Sequence, residues 1–113
     1  MKHLPFPEFF EKSECILGEG AVIERLRRNG EFDLDPYIVN SAFIYDPGKR
    51  AAISGIYRQY FDIGFKYNLP LLISTPTWRA SRERIKKAGY EAKDVNRDNF
   101  RFCDDMRKSY GEY

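Results

Sequence analysis

The chain is poor in the residues that most directly announce chemistry. It has two cysteines, Cys15 and Cys103, far apart and in no C-x-x-C pair, and a single histidine, His3, near the N-terminus. A structural zinc site takes about four nitrogen or sulfur ligands, and these residues do not supply them. Both cysteines read as buried, reduced thiols. Long apolar runs are missing as well. Nothing approaches the roughly 18–20 residues of a membrane span. The opening MKHLPFPEFFEKSE places prolines and acids where a signal peptide stays apolar. The chain therefore reads as cytoplasmic, with no membrane partner. Net charge is only +2, which gives no electrostatic argument for nucleic acid. There is no internal repeat, low-complexity tract or linker, and 113 residues make one domain.

Aromatic and apolar mass is what the chain does have. Aromatics reach 16% and hydrophobic residues 42%, against 32% charged. This is a globular composition with a core built largely from Phe and Tyr, and it is far from disorder.

Residues 1–13 hold Pro5 and Pro7 among Phe6, Phe9 and Phe10. They read as an N-terminal arm, with a short helix at 7–12, either packed on the body or frayed. Cys15-Ile16-Leu17 lies in the first strand candidate, 14–18, consecutive and apolar as in a strand buried on both faces. A helix is predicted from Gly20 or Ala21, with Val22, Ile23 and Leu26 on one face, stopping at Asn29-Gly30. After an irregular stretch, with a helical turn expected within 37–42, Asp46-Pro47 opens the firmest helix as cap and first residue. Ile53, Ile56, Tyr57, Tyr60, Phe61 and Phe65 recur there at helical spacing, and Asn68 and Pro70 end it. Residues 69–74 are the second buried strand. Ser81 caps a short helix to about Ala88, and Asp94 or Asn96 caps a last one presenting Phe102, Cys103, Met106 and Tyr110.

Apolar strands alternating with helices predict an α/β architecture with parallel strands. Two such strands leave open edges, so a third strand is expected beyond Tyr113. A (β/α)8 barrel needs roughly 250 residues, and this chain supplies at most its first two strands. Self-association through an open sheet edge is one consequence.

With these elements placed, GEGAVIERLRRNG resembles the opening of the homocysteine S-methyltransferase family, usually Asp-Gly-Ala-Met-Gly-Thr-Glu-Leu. Glu19 matches the aspartate, and Gly20, Ala21 and Leu26 match the glycine, alanine and leucine. Val22, Ile23, Glu24 and Arg25 depart from the pattern. Asn40-Ser41-Ala42 falls where the family tends to have Trp-Ser-Ala. The stretch from Leu71 to Trp78 is similar to the second strand and its Thr-Asn-Thr-Phe/Tyr ending, with Pro76 in place of Asn. A divergent, methyltransferase-like branch is the better likeness. The resemblance implies the first two β/α units of a (β/α)8 TIM-type barrel, incomplete as given. It implies methyl transfer from a donor such as S-methylmethionine to the thiol of homocysteine, and a zinc ion held by cysteines of later strands. Neither Cys15 nor Cys103 corresponds to those cysteines, so no zinc is expected on this chain alone, and the chain alone is expected to be inactive.

Glu19 is the leading candidate. At the end of the first strand it could clamp the amino group of an amino-acid substrate, with Gly20 leaving the backbone open to approach. The plainer alternative is an acid favoured by the helix dipole. Thr75 and Thr77 could line the same pocket or simply shape the turn at Pro76. Ser41, with Asn40, could join them or satisfy loop backbone. Trp78 is read as packing under its loop, and the basic residues from Arg79 to Lys87 as a solvated helix face. No residue is assigned a catalytic or metal-binding role. The alternative to the enzyme is a non-catalytic small-molecule or protein-binding module.

Overall fold

The computed structural model describes residues 5–111; His3 and Tyr113 lie outside them. The elements run α1 (Phe6–Lys12), β1 (Leu17–Gly18), α2 (Val22–Asn29), a 3-10 helix (Ser41–Tyr45), α3 (Pro47–Tyr67), β2 (Leu71–Leu72), α4 (Arg82–Lys87) and α5 (Val95–Lys108).

Local chemistry explains the helix ends. The Asp46 carboxylate accepts from the Lys49 amide at 2.9 Å and Pro47 follows as first residue, so α3 starts there. It stops at Asn68, which adopts the left-handed conformation at φ 51°. Ser81 and Asp94 cap α4 and α5 by accepting from the amides of Arg84 and Arg97. Gly30, at φ 73°, ends α2.

The long helix α3 organises the core. Ile53, Tyr57 and Phe61 recur every fourth residue and are buried. They pack with Val22 and Leu26 of α2, Phe43 and Ile44 of the 3-10 helix, and Phe102, Cys103 and Met106 of α5. Tyr57 meets Phe102 edge to face at 6.1 Å, and Phe61 stacks on Tyr110 at 5.0 Å. A second cluster, Ile38, Ala80, Ile85 and Val95, lies under α4. Tyr45 packs against both clusters and joins them.

The expected α/β barrel start does not form. β1 and β2 do pair in parallel, but over two residues each, with Leu17 opposite Leu71 and Gly18 opposite Leu72. The physical reason lies in the flanks. Gly18 and Gly20 weaken the first strand, and Pro70 brings no amide to the second. Nor are the two runs buried on both faces: Cys15 is exposed and Leu72 is 53% exposed. The core is helix on helix, with the strand pair a small brace at one side.

Other expectations also change. The arm forms α1, but none of its residues is buried; Phe6 instead clusters with Phe9 and Phe10. Only Cys103 of the two thiols is buried. The helical turn sits at Ser41–Tyr45 rather than within 37–42. Arg84 is not a solvated cation: its guanidinium donates to the carbonyls of Tyr37 and Pro36, clasping α4 to that loop. No helix among the described residues is long and apolar enough to cross a membrane.

Candidate functional site

The carboxyl ends of β1 and β2 open into a cleft of about 400 Å³. Glu19 stands at its mouth. Its side chain crosses to the segment that follows β2, where Oε1 accepts the Ser74 amide at 3.1 Å. The acid therefore bridges two strand ends instead of capping α2, which begins after Ala21 with no side-chain cap. No hydrogen bond from the described residues reaches Oε2.

The floor comes from α3 and from the residue entering the 3-10 helix. Tyr57 and Asn40 both line the cleft and both are buried. The Tyr57 hydroxyl donates to the Ser74 carbonyl at 2.7 Å, so Ser74 is gripped through both backbone polar groups. Burial pushes the Tyr57 phenol well above its ordinary range, with the nearby Cys103 thiol and Glu19 carboxylate adding to the shift. The phenol therefore stays protonated and stays a donor. Val22, Ile23 and Pro76 supply apolar wall, and Glu24 and Arg27 pair across the rim at 2.9 Å. That pair is exposed and contributes little to stability.

The sequence candidates separate in the structure. Glu19 and Thr75 line the cleft together. The Gly20 carbonyl accepts from the Tyr60 hydroxyl, and a side chain at Gly20 would meet open space. Thr77 reaches the cleft only through Thr75, whose hydroxyl lies 2.7 Å from its own. Ser41 is fully buried, and its Oγ donates to the Pro76 carbonyl at 2.6 Å, which holds the cleft wall from behind. Of the Asn40-Ser41 pair it is Asn40 that reaches the cleft. Trp78, expected to pack under its loop, is 64% exposed and forms a wall, its ring carrying the Arg79 guanidinium at 4.3 Å.

Sequence reasoning saw Tyr57 only as one more apolar position on a helix face. No local pattern reveals that its hydroxyl meets a carbonyl 17 residues on. Asn40 stands in the sequence as a candidate beside Ser41, and nothing local tells which of the two lines the cleft.

The described residues do not fit the zinc that the resemblance implies. No group of three or more His, Cys, Asp or Glu able to hold a metal occurs among them. Cys103 is a core thiol, pushed up to about 12 by burial and then by the Glu19 charge, and is far from the thiolate a metal would need. The arrangement presents the Glu19 carboxylate, the Thr75 hydroxyl and an apolar wall to one small cleft.

Compared with known proteins, the chain matches no family model, no curated protein and no solved structure.

Proposed function

We propose that the cleft binds the ammonium end of an amino-acid substrate. On this reading the chain serves a methyl transfer of the homocysteine S-methyltransferase kind, from a donor such as S-methylmethionine to the thiol of homocysteine. The observation that carries the binding is Glu19, oriented by the Ser74 amide through one oxygen and lining the same cleft as Thr75. The ordered likeness of GEGA, NSA and STPTW supports the thiol and the methyl donor. Within this reading the described residues orient the acceptor; activation of its sulfur is not among their roles.

The test is calorimetric titration with L-homocysteine, with L-methionine and with 1-propanethiol, which has no amino group. Saturable binding of the two amino acids but not of the thiol is expected. Glu19→Gln keeps an acceptor for Ser74 and removes the charge, and should weaken binding by about 10–100-fold, the range for a charge-assisted hydrogen bond. Equal binding of 1-propanethiol, or no effect of the substitution, would overturn the reading.

A second reading, a non-catalytic module that self-associates, rests on the outer edge of β2 and its exposed Leu72. Sedimentation velocity separates the two: a dimer abolished by Leu72→Lys favours it, and a concentration-independent monomer disposes of it.

A further inference from the structure

One residue that lines the cleft carries a buried acceptor with no partner among the described residues. Asn40 is 2% exposed, and its Oδ1 has no hydrogen-bond partner. A buried carbonyl-type oxygen without a donor is uncommon and costly. Asn99 carries the only other such oxygen among the described side chains. It differs in place and in use. Asn99 is not part of the cleft lining, and both hydrogens of its amide are engaged, by the Ser41 and Val95 carbonyls at 2.9 Å each.

Asn40 is also held in position. Its carbonyl accepts from the Phe43 amide at 3.1 Å. The next residue, Ser41, is tied to Pro76 through its hydroxyl and to Asn99 through its carbonyl. The residue before it, Val39, adopts a left-handed backbone at φ 58°, a conformation a β-branched residue resists. An anchored, unpaired acceptor behind the lining of a cleft that also presents a carboxylate can be met by a ligand carrying an N–H on a cationic nitrogen.

We infer that Asn40 sets the ligand specificity of the cleft, its side-chain oxygen accepting an N–H from a primary ammonium whose charge is met by Glu19. This rests on the amino-acid reading of the cleft and adds a selection to it. A trimethylated nitrogen carries the same charge but has no N–H. It satisfies Glu19 by Coulomb attraction, leaves Asn40 unpaired and brings three methyl groups against the floor. The cleft therefore favours free amino acids over their permethylated betaine forms. Oδ1 is shielded from bulk water, so the ligand must part the wall to reach it. Trp78, mostly exposed, is the wall residue least held by packing.

Trp78 is the sole tryptophan, so its fluorescence reports binding directly. The probes are L-methionine and N,N,N-trimethyl-L-methionine, titrated against the wild type, Asn40→Leu, Asn40→Ala and Glu19→Gln, each checked for folding by circular dichroism. The wild type should prefer L-methionine by about tenfold, the worth of one hydrogen bond. Asn40→Leu should erase that ratio, whereas Glu19→Gln should weaken both probes. Should Asn40→Leu fail to fold, Asn40→Ala decides: it removes the acceptor without adding bulk or charge and should erase the same ratio. Equal wild-type affinity for the two probes, or a ratio intact in Asn40→Leu or in Asn40→Ala, overturns the inference and leaves the cleft reading standing. Binding of neither probe by the wild type overturns both.

Discussion

Glu19 and Ser74 meet across 55 positions of sequence, the Ser74 amide donating to the Glu19 carboxylate at 3.1 Å. This bond turns the acid away from its own helix and toward the cleft. Since Tyr57 holds the carbonyl of the same serine, α3, β1 and β2 converge on one residue.

Tyr57→Phe tests that convergence. It removes the bond to Ser74 while keeping the ring against Phe102. Urea denaturation should show a loss of about 1 kcal/mol, typical of one hydrogen bond. L-methionine binding should weaken as well, because Ser74 no longer holds Glu19 in place. Unchanged binding would mean that Glu19 is oriented independently of α3.

Asn99→Asp tests the seam behind the cleft. Asn99 is fully buried and its amide bridges the Ser41 and Val95 carbonyls. The substitution removes both donors and buries a charge, which should cost about 3 kcal/mol or more at neutral pH. Burial raises the pKa of the introduced carboxyl, so it is neutral at low pH and the deficit against wild type should shrink as pH falls. A deficit independent of pH would place the carboxyl in contact with water.

The two thiols should react separately. Cys15 is exposed and Cys103 is buried, so a disulfide reagent at pH 8 should modify one thiol quickly and the second only in denaturant. Burial raises Cys103 from an ordinary 9.0 to about 12. The folded protein therefore holds this proton more tightly than the unfolded chain. The stability it contributes is full below about pH 9 and is lost as pH rises toward 12. Tyr57, and Tyr45 through burial and its bond to Asp98, are raised and act in the same direction. Urea midpoints measured from pH 8 to 11.5 should hold to about pH 9 and then fall; a flat profile would contradict the buried placement of these groups.

Val39→Asn tests the backbone that delivers Asn40. Val39 lies at φ 58°, where asparagine is tolerated and valine is strained. A gain of about 0.5–1 kcal/mol is expected in thermal or urea unfolding. Destabilisation instead would show that the half-buried valine side chain contributes more than its backbone costs.

The helices were legible because their determinants are local. Asp46-Pro47, Asn68, Gly30, Ser81 and Asp94 act within four residues of themselves, through side-chain caps and left-handed stops. The buried stripe Ile53-Tyr57-Phe61 follows from helical spacing alone. The strands were over-read for the opposite reason. An apolar triplet says what a strand would like to bury, whereas its length depends on a partner able to pair with it. Here Gly18, Gly20 and Pro70 limit that pairing to two positions.

The sequence by itself therefore determined the number of the principal helices, most of their ends, the buried stripe Ile53-Tyr57-Phe61 and the carboxylate between two glycines, whereas the last helix, expected to run to the chain end, stops at Lys108, and Phe65, expected on the core face, is exposed. Tertiary structure alone decided that Cys15 faces water, that Ser41 braces while Asn40 reaches the cleft, that Trp78 is a wall, and that Glu19 turns to Ser74. Each of these depends on which distant backbone group arrives beside a side chain. That is settled by helix packing, because a hydrogen bond between residues tens of positions apart leaves no periodic trace in the chain.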